Sequence, residues 1–239
     1  MKVLLLENIH SEAVRALESR GHEVEVLSSA LDEVELIEAL DGVELLGIRS
    51  RTHITERVLK AHPQLLAVGA FCIGTNQIDL PAAAAAGVAV FNAPYSNTRS
   101  VVELALGEII TLARRLGDRN SSMHAGIWDK SATGSHEVRG RTLGIVGYGN
   151  IGSQLSVLAE GLGMRVYFYD IVDRLALGNA TRVYSLQELF ELCETITMHV
   201  DGRASNAHMI GEKEFSQMRP RTLFLNLCRG NVVDVDALA

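Results

Sequence analysis

Short apolar runs alternate with helix-periodic segments from the first residues onward. Residues 2–6 are an apolar run, and Ser11-Glu12-Ala13-Val14-Arg15-Ala16-Leu17 then has the spacing of an amphipathic helix that stops at Gly21, a natural left-handed cap. The unit recurs. Residues 23–27 alternate like a strand, 31–40 are helix-periodic, and 44–48 are apolar again. Thr55 is placed to cap a helix over Glu56–Ala61, residues 65–68 form another buried run, and 81–87 open on Pro81 and close on Gly87, as a helix does. Residues 88–91 end the series. Strands that alternate with helices need crossover connections, which predicts a parallel sheet covered on both faces.

The turn-rich segment Asn92-Ala93-Pro94-Tyr95-Ser96-Asn97 leads into a long periodic helix over 98–115, with Ser96 or Asn97 as its cap. This predicts a division into a first domain over 1–94 and a second over 95–239. A polar stretch over 117–140 contains the only tryptophan, Trp128, and a second strand–helix series begins at Thr142. Its strand candidates are residues 143–146, 166–169, 196–200 and 223–226, with a weaker one near Val183. The expected order is 3-2-1-4, with the fourth strand as an open apolar edge. No internal repeat or low-complexity tract is present beyond this rhythm.

With 239 residues, 47% hydrophobic and 21% charged, the chain is large enough for a real core and is no disulfide-stapled mini-protein. Its formal charge of −7 repels nucleic-acid backbones and anionic lipid on average. Apolar stretches break well short of the ~18–20 residues of a membrane span, and residues 1–6 run straight into Glu7 rather than into a signal peptide. Three widely spaced cysteines, Cys72, Cys193 and Cys228, fit a reduced, cytoplasmic setting. No nucleic-acid partner, membrane or metal is expected.

The strongest chemical signal is Gly147-Tyr148-Gly149-Asn150-Ile151-Gly152. It lies between a buried strand and a helix, with Asp170 ending the next strand about 20 residues on. Gly147 permits the tight turn, Gly149 lets backbone approach a pyrophosphate, Gly152 allows close helix–sheet contact, and the helix N-terminus offers N–H donors. Asp170 would accept from the ribose hydroxyls and repel a 2′-phosphate, favouring NAD over NADP. A purely structural turn is the alternative. In the first domain, Arg49 and Arg51 lie at i and i+2 beyond a buried strand, on one face by period two and suited to a phosphate or carboxylate; solvated surface arginines are the plainer reading. Arg229 follows the strand run Leu223–Asn226 and faces the same sheet edge as the glycine loop, placed either to clamp a carboxylate or to serve as a cap.

The segments Gly47-Ile48-Arg49-Ser50-Arg51-Thr52, Phe71-Cys72-Ile73-Gly74-Thr75-Asn76-Gln77, Phe91 through Ser100 and Gly147 through Gly152 together resemble the D-isomer-specific 2-hydroxyacid dehydrogenases, in their D-3-phosphoglycerate dehydrogenase branch. The resemblance implies a flavodoxin-like substrate domain lacking its C-terminal helix and an incomplete Rossmann domain for NAD. It implies oxidation of 3-phosphoglycerate to 3-phosphohydroxypyruvate in serine biosynthesis, with reduction of 2-oxoglutarate as a related capacity; glyoxylate or another 2-oxo acid is the alternative substrate. Carried over by residue, it puts Asn150 and Ile151 at the pyrophosphate, Asp170 at the ribose, and Leu227 and Cys228 beside the nicotinamide. Arg229 becomes the catalytic arginine, Arg49, Ser50 and Arg51 the substrate loop, and Gly74 and Asn97 cleft residues. Trp128 falls in the arm through which such subunits pair, so a homo-oligomer is expected of the full-length form.

Three positions depart from that pattern: Asp201 where Pro is usual, Cys228 in place of Ser or Ala, and Ala125 in place of Arg. The general base of this family is a His paired with a Glu, and none of the eight histidines matches that motif. His199 is the best in-chain substitute, although a satisfied polar role at a strand end is favoured for it. The resemblance thus leads to the expectation of a C-terminally truncated chain, inactive alone, or of a non-catalytic NAD-binding or oligomerisation remnant.

Overall fold

Val3 and Leu5 point to one side of the first strand and Leu4 and Leu6 to the other, and all four are buried. A strand with no polar face belongs in the middle of a sheet covered on both sides, and that is where the computed structural model, which describes residues 1–238, puts it. The first of two units, Met1–Ser96, holds the parallel strands β1 (Lys2–Leu5), β2 (Glu23–Val26), β3 (Leu45–Ile48), β4 (Ala67–Ala70) and β5 (Ala89–Asn92) in the order β2-β1-β3-β4-β5. This is the flavodoxin-like order, which reverses direction between β1 and β3. Helix α1 (Ser11–Glu18) lays Ala13, Val14 and Leu17 on the Val3/Leu5 face. Helices α2 (Glu33–Ala39), α3 (Glu56–Ala61) and α4 (Leu80–Ala85) supply Leu36, Val58, Leu59 and Ala83 to the other.

Local chemistry sets these boundaries. Asp32 and Glu35 form a reciprocal capping box on α2, and the Thr55 hydroxyl accepts from the Val58 N–H at 3.4 Å at the start of α3. Gly21 and Gly87, just past α1 and α4, adopt φ of +79° and +73°. The apolar run over 65–68 is displaced relative to its strand. Leu65 is buried, Leu66 is 52% exposed, and the strand register with β3 begins at Ala67.

The second unit begins at Asn97, two residues beyond the boundary read from the sequence. Asn97 precedes α5 (Thr98–Ala113), but its side chain makes no capping hydrogen bond. The polar stretch that follows contains a helix, α6 (Leu116–His124), that periodicity did not reveal; none of its residues is buried. Next come β6 (Thr142–Val146), α7 (Asn150–Gly161), β7 (Arg165–Tyr169), β8 (Thr181–Arg182), α8 (Leu186–Leu192), β9 (Thr195–Met198), α9 (Glu212–Gln217), β10 (Leu223–Asn226) and α10 (Val235–Leu238). The sheet order is β10-β9-β6-β7-β8.

Counted outward from β6, the sheet runs through β7 to β8 on one side and through β9 to β10 on the other, the Rossmann arrangement. The run at 223–226 is the outer strand as expected, but its neighbour is β9 rather than the β6 that a 3-2-1-4 order gives. The two-residue β8 fills the third place in chain order within the unit, so β9 lies inside the sheet and β10, the fifth strand, is its outer member. Helices α5 and α7 cover one face through Val102, Ile109 and Leu155 against Leu143, Ile145 and Phe168. Helix α8 covers the other, through Leu189 and Phe190 against Val146, Ile196 and Met198.

Candidate nucleotide crevice and arginine loop

In open α/β sheets, ligands gather beyond the strand C-termini where the strand order reverses. In the second unit this point lies between β6 and β9, where the chain leaves the sheet at Gly147 and His199. Gly147 has a φ of +94°, and a Cβ there would sit 2.7 Å from the His199 carbonyl oxygen, so both backbone conformation and space demand glycine. Gly152, in the first turn of α7, has no room either: its Cβ would lie 2.2 Å from the Gly147 carbonyl oxygen. Gly149 is different. Its φ of −79° suits any residue and nothing lies within 4 Å of its Cβ position, so only a ligand would make glycine necessary there.

Beside the glycine turn is an open cavity of about 370 Å³ whose lining includes Gly147, Gly149, Asn150, Asp170, His199 and Asp201. Asp170 accepts from the Tyr148 N–H at 2.7 Å and from the Val172 N–H at 2.8 Å, so it holds the glycine turn as well as facing the cavity. Tyr148, unremarked in the sequence, is the other half of this device. Its ring stacks on Phe168 with centroids 3.7 Å apart, its hydroxyl meets Ser156 at 2.6 Å, and its N–H is thereby aimed at Asp170. Two cations also missed by sequence reasoning line the cavity: Arg174, with Nε 3.8 Å from Asp170, and Arg203, ion-paired to Asp201. The Arg203 guanidinium holds the Asp201 carboxyl below its ordinary pKa. The carboxylate standing where proline is usual is therefore charged and locally compensated.

His199 is only half satisfied, contrary to the polar strand-end role expected for it. Its Nε2 lies 3.0 Å from the Thr197 hydroxyl, but the buried Nδ1 has no hydrogen-bond partner among the described residues. Burial pulls its pKa down to about 4, so the ring is neutral near pH 7. After β10, the Asn226 side chain accepts from the Cys228 N–H at 3.2 Å and donates to the Arg229 carbonyl at 3.0 Å, shaping the turn. Leu227 packs against the core beneath α5 and α7, and burial raises the pKa of Cys228. Arg229 is exposed and has no carboxylate partner among the described residues. Its stem crosses Gly202, where a Cβ would lie 2.9 Å from Arg229 Cγ.

In the first unit the reversal falls between β1 and β3, and the segments leaving those strands are Glu7-Asn8 and Arg49-Ser50-Arg51-Thr52. Arg49 and Arg51 lie beyond the strand as expected, but the period of two that put them on one face does not hold for the curled segment they occupy. β3 ends at Ile48, and the backbone then curls so that the N–H groups of residues 49–52 all donate to the Glu7 carboxylate, at 3.2, 3.1, 3.0 and 2.9 Å in turn. Burial pushes this carboxyl up, but the backbone donors outweigh it and hold its pKa below the ordinary value. Gly74 joins the same locality: Gln77 Nε2 donates to the Arg49 carbonyl at 2.7 Å and to the Gly74 carbonyl at 3.2 Å. Both arginine side chains remain exposed. Neither Glu7 nor Gln77 was singled out in the sequence, since only the fold carries them to this loop.

Residues 106–239 match the family model of the D-isomer specific 2-hydroxyacid dehydrogenase, NAD binding domain. The chain belongs to the D-isomer specific 2-hydroxyacid dehydrogenase family. It is 51% identical, over its whole length, to D-3-phosphoglycerate dehydrogenase of Haemophilus influenzae and spans 58% of that relative. Among solved structures it superposes on the TT0316 protein from Thermus thermophilus with a TM-score of 0.92 at 26% identity, covering all of this chain and 77% of that one. It superposes on D-lactate dehydrogenase from Aquifex aeolicus, complexed with NAD and lactic acid, with a TM-score of 0.87 at 27% identity, covering 99% and 72%. NAD is the cofactor of the matched domain. The crevice fits it: the Gly147–Gly152 approach, the open space over Gly149 and the Asp170 carboxylate suit a dinucleotide without a 2′-phosphate.

Proposed function

We propose that this chain carries the substrate loop and the NAD crevice of a dehydrogenase that oxidises 3-phosphoglycerate to 3-phosphohydroxypyruvate, the first step of serine biosynthesis, with reduction of 2-oxoglutarate as a second capacity. The observation that carries the reading is the pair of exposed arginines, Arg49 and Arg51, at the strand-order reversal of a chain 51% identical to a D-3-phosphoglycerate dehydrogenase. Guanidinium groups bind phosphate in bidentate fashion, and a pair of them suits the phosphate end of such a substrate.

In this reading Asn150 and Ile151 offer first-turn N–H groups to the pyrophosphate and Asp170 receives the adenosine ribose. Leu227 and Cys228 flank the nicotinamide, which supplies the hydride acceptor. Arg229 holds the substrate carboxylate and polarises the carbon–oxygen bond under reaction, Arg49, Ser50 and Arg51 hold the phosphate end, and Gly74 and Asn97 border the substrate. Trp128, 76% exposed, serves subunit pairing in a homo-oligomer. Among the described residues the three cysteines are free and no helix is long and apolar enough to cross a membrane, in keeping with a cytoplasmic setting.

Calorimetric titration tests the reading. The chain should bind 3-phosphoglycerate more tightly than glyoxylate or lactate, and Arg51→Ala should weaken 3-phosphoglycerate about tenfold while NAD affinity stays within about twofold. Equal affinity for the unphosphorylated acids, or a parallel loss of NAD affinity, would remove the phosphoglycerate assignment.

A further inference from the structure

Glu7 does not face solvent, with its side chain 4% exposed, yet it sets the shape of the loop that does. Successive N–H groups of an extended chain point to opposite sides, so four in a row can converge on one carboxylate only if the backbone curls around it. Such an arc of amides is an anion-binding concavity in its own right. Here an internal carboxylate fills it, which leaves an incoming anion to be met by side chains rather than by the backbone.

We infer that Glu7 is a positioning residue for the anionic substrate: its carboxylate fixes the curl of residues 49–52 and so presents the Arg49 and Arg51 guanidinium groups outward. The inference rests on the substrate reading above. Three further features support it. Glu7 and Asn8 adopt φ of +64° and +55°, a left-handed pair without glycine, which persists only where surrounding bonds over-determine it. Arg51 Nε, the inner nitrogen of the guanidinium, lies 4.0 Å from a Glu7 oxygen while the side chain stays 69% exposed, so Glu7 neighbours only the inner edge of the group and leaves its outer face open. On the opposite side of the loop, Gln77 fixes the Arg49 carbonyl and ties it to Gly74, so the curl is held from both sides. Glu7 therefore acts through the loop and does not itself touch a ligand.

The test compares wild type, Glu7→Gln and Glu7→Asp in the 239-residue chain. Calorimetry gives the affinities for 3-phosphoglycerate and NAD, and hydrogen exchange follows the amides of residues 49–52. Glu7→Gln keeps the size but turns an amide group toward backbone donors. It should weaken 3-phosphoglycerate about tenfold or more, leave NAD binding unchanged and speed exchange at all four amides. Glu7→Asp, which keeps the charge on a shorter arm, should recover part of both losses, and it carries the comparison if the Gln variant does not fold. Exchange as slow as in wild type, or faster exchange with undiminished 3-phosphoglycerate affinity, overturns the inference. Failure of the wild-type chain to bind 3-phosphoglycerate strikes the substrate reading instead; the exchange comparison then still decides whether Glu7 fixes the loop.

Discussion

Asp170 accepts a 2.7 Å hydrogen bond from the backbone N–H of Tyr148, so one carboxylate both faces the nucleotide cavity and fixes the turn that borders it. A charge-assisted hydrogen bond of this kind contributes about 1.5–3 kcal/mol. Asp170→Ala should therefore weaken NAD by about 10- to 100-fold and narrow its advantage over NADP, because Arg174 and Arg203 line the same cavity and would be freed to meet a 2′-phosphate. Fluorescence titration with both dinucleotides checks this, and an unchanged NAD to NADP ratio would refute the role assigned to Asp170.

Gly152 and Gly149 should respond differently to one methyl group. Gly152→Ala drives a Cβ to 2.2 Å from backbone at Gly147, which must shift; the expected loss is about 1–3 kcal/mol of stability, together with NAD binding. Gly149→Ala meets nothing within 4 Å and has an ordinary φ, so thermal stability should hold while NAD affinity falls. Thermal denaturation with and without NAD separates the two cases. Equal destabilisation would contradict the packing described.

Gly202→Ala is a probe of Arg229. The new Cβ would meet the flexible Arg229 stem at 2.9 Å rather than backbone, so the fold should tolerate it. The displaced guanidinium should cost several-fold in affinity for 2-oxo acids, with NAD affinity less affected. Calorimetry with 2-oxoglutarate is the measurement, and unaltered binding would count against Arg229 as the carboxylate clamp.

Stability should fall in two acid steps. The folded pKa of His199 is depressed from 6.5 to about 4, so the unfolded chain binds the extra proton first. The stabilisation from keeping this ring neutral is complete above about pH 6.5 and is lost as pH falls toward 4, on the order of 3 kcal/mol. Glu7 is depressed below 4.5, so its contribution is intact above that value and is lost only at lower pH, as its carboxylate protonates. Urea denaturation across about pH 3–8 should show His199→Asn flattening the upper step alone. A His199→Asn curve parallel to that of wild type between about pH 4 and 6.5 would exclude the histidine as its source.

Much of the molecule is legible in one dimension. Buried parallel strands write themselves as apolar runs because neither face meets water, and Thr55, Gly21, Gly87 and Pro81 mark helix ends because backbone donors and left-handed turns demand those residues. Gly147, Gly152 and Asp170 are legible for the same reason: each answers a local requirement at a fixed spacing. The polar helix α6 and the two-residue β8 are not, since neither buries enough to leave a period.

What the sequence by itself determined is the two-unit α/β plan, the glycine crevice and the arginine loop as candidates. Only the tertiary structure decided that β9 lies between β6 and β10, that Tyr148 aims its N–H at Asp170, and that His199 is left with an unpartnered nitrogen among the described residues. It alone brought Glu7 under residues 49–52. That contact joins residues far apart in the chain, and they meet only because β1 and β3 are neighbours at the point where the sheet reverses its order.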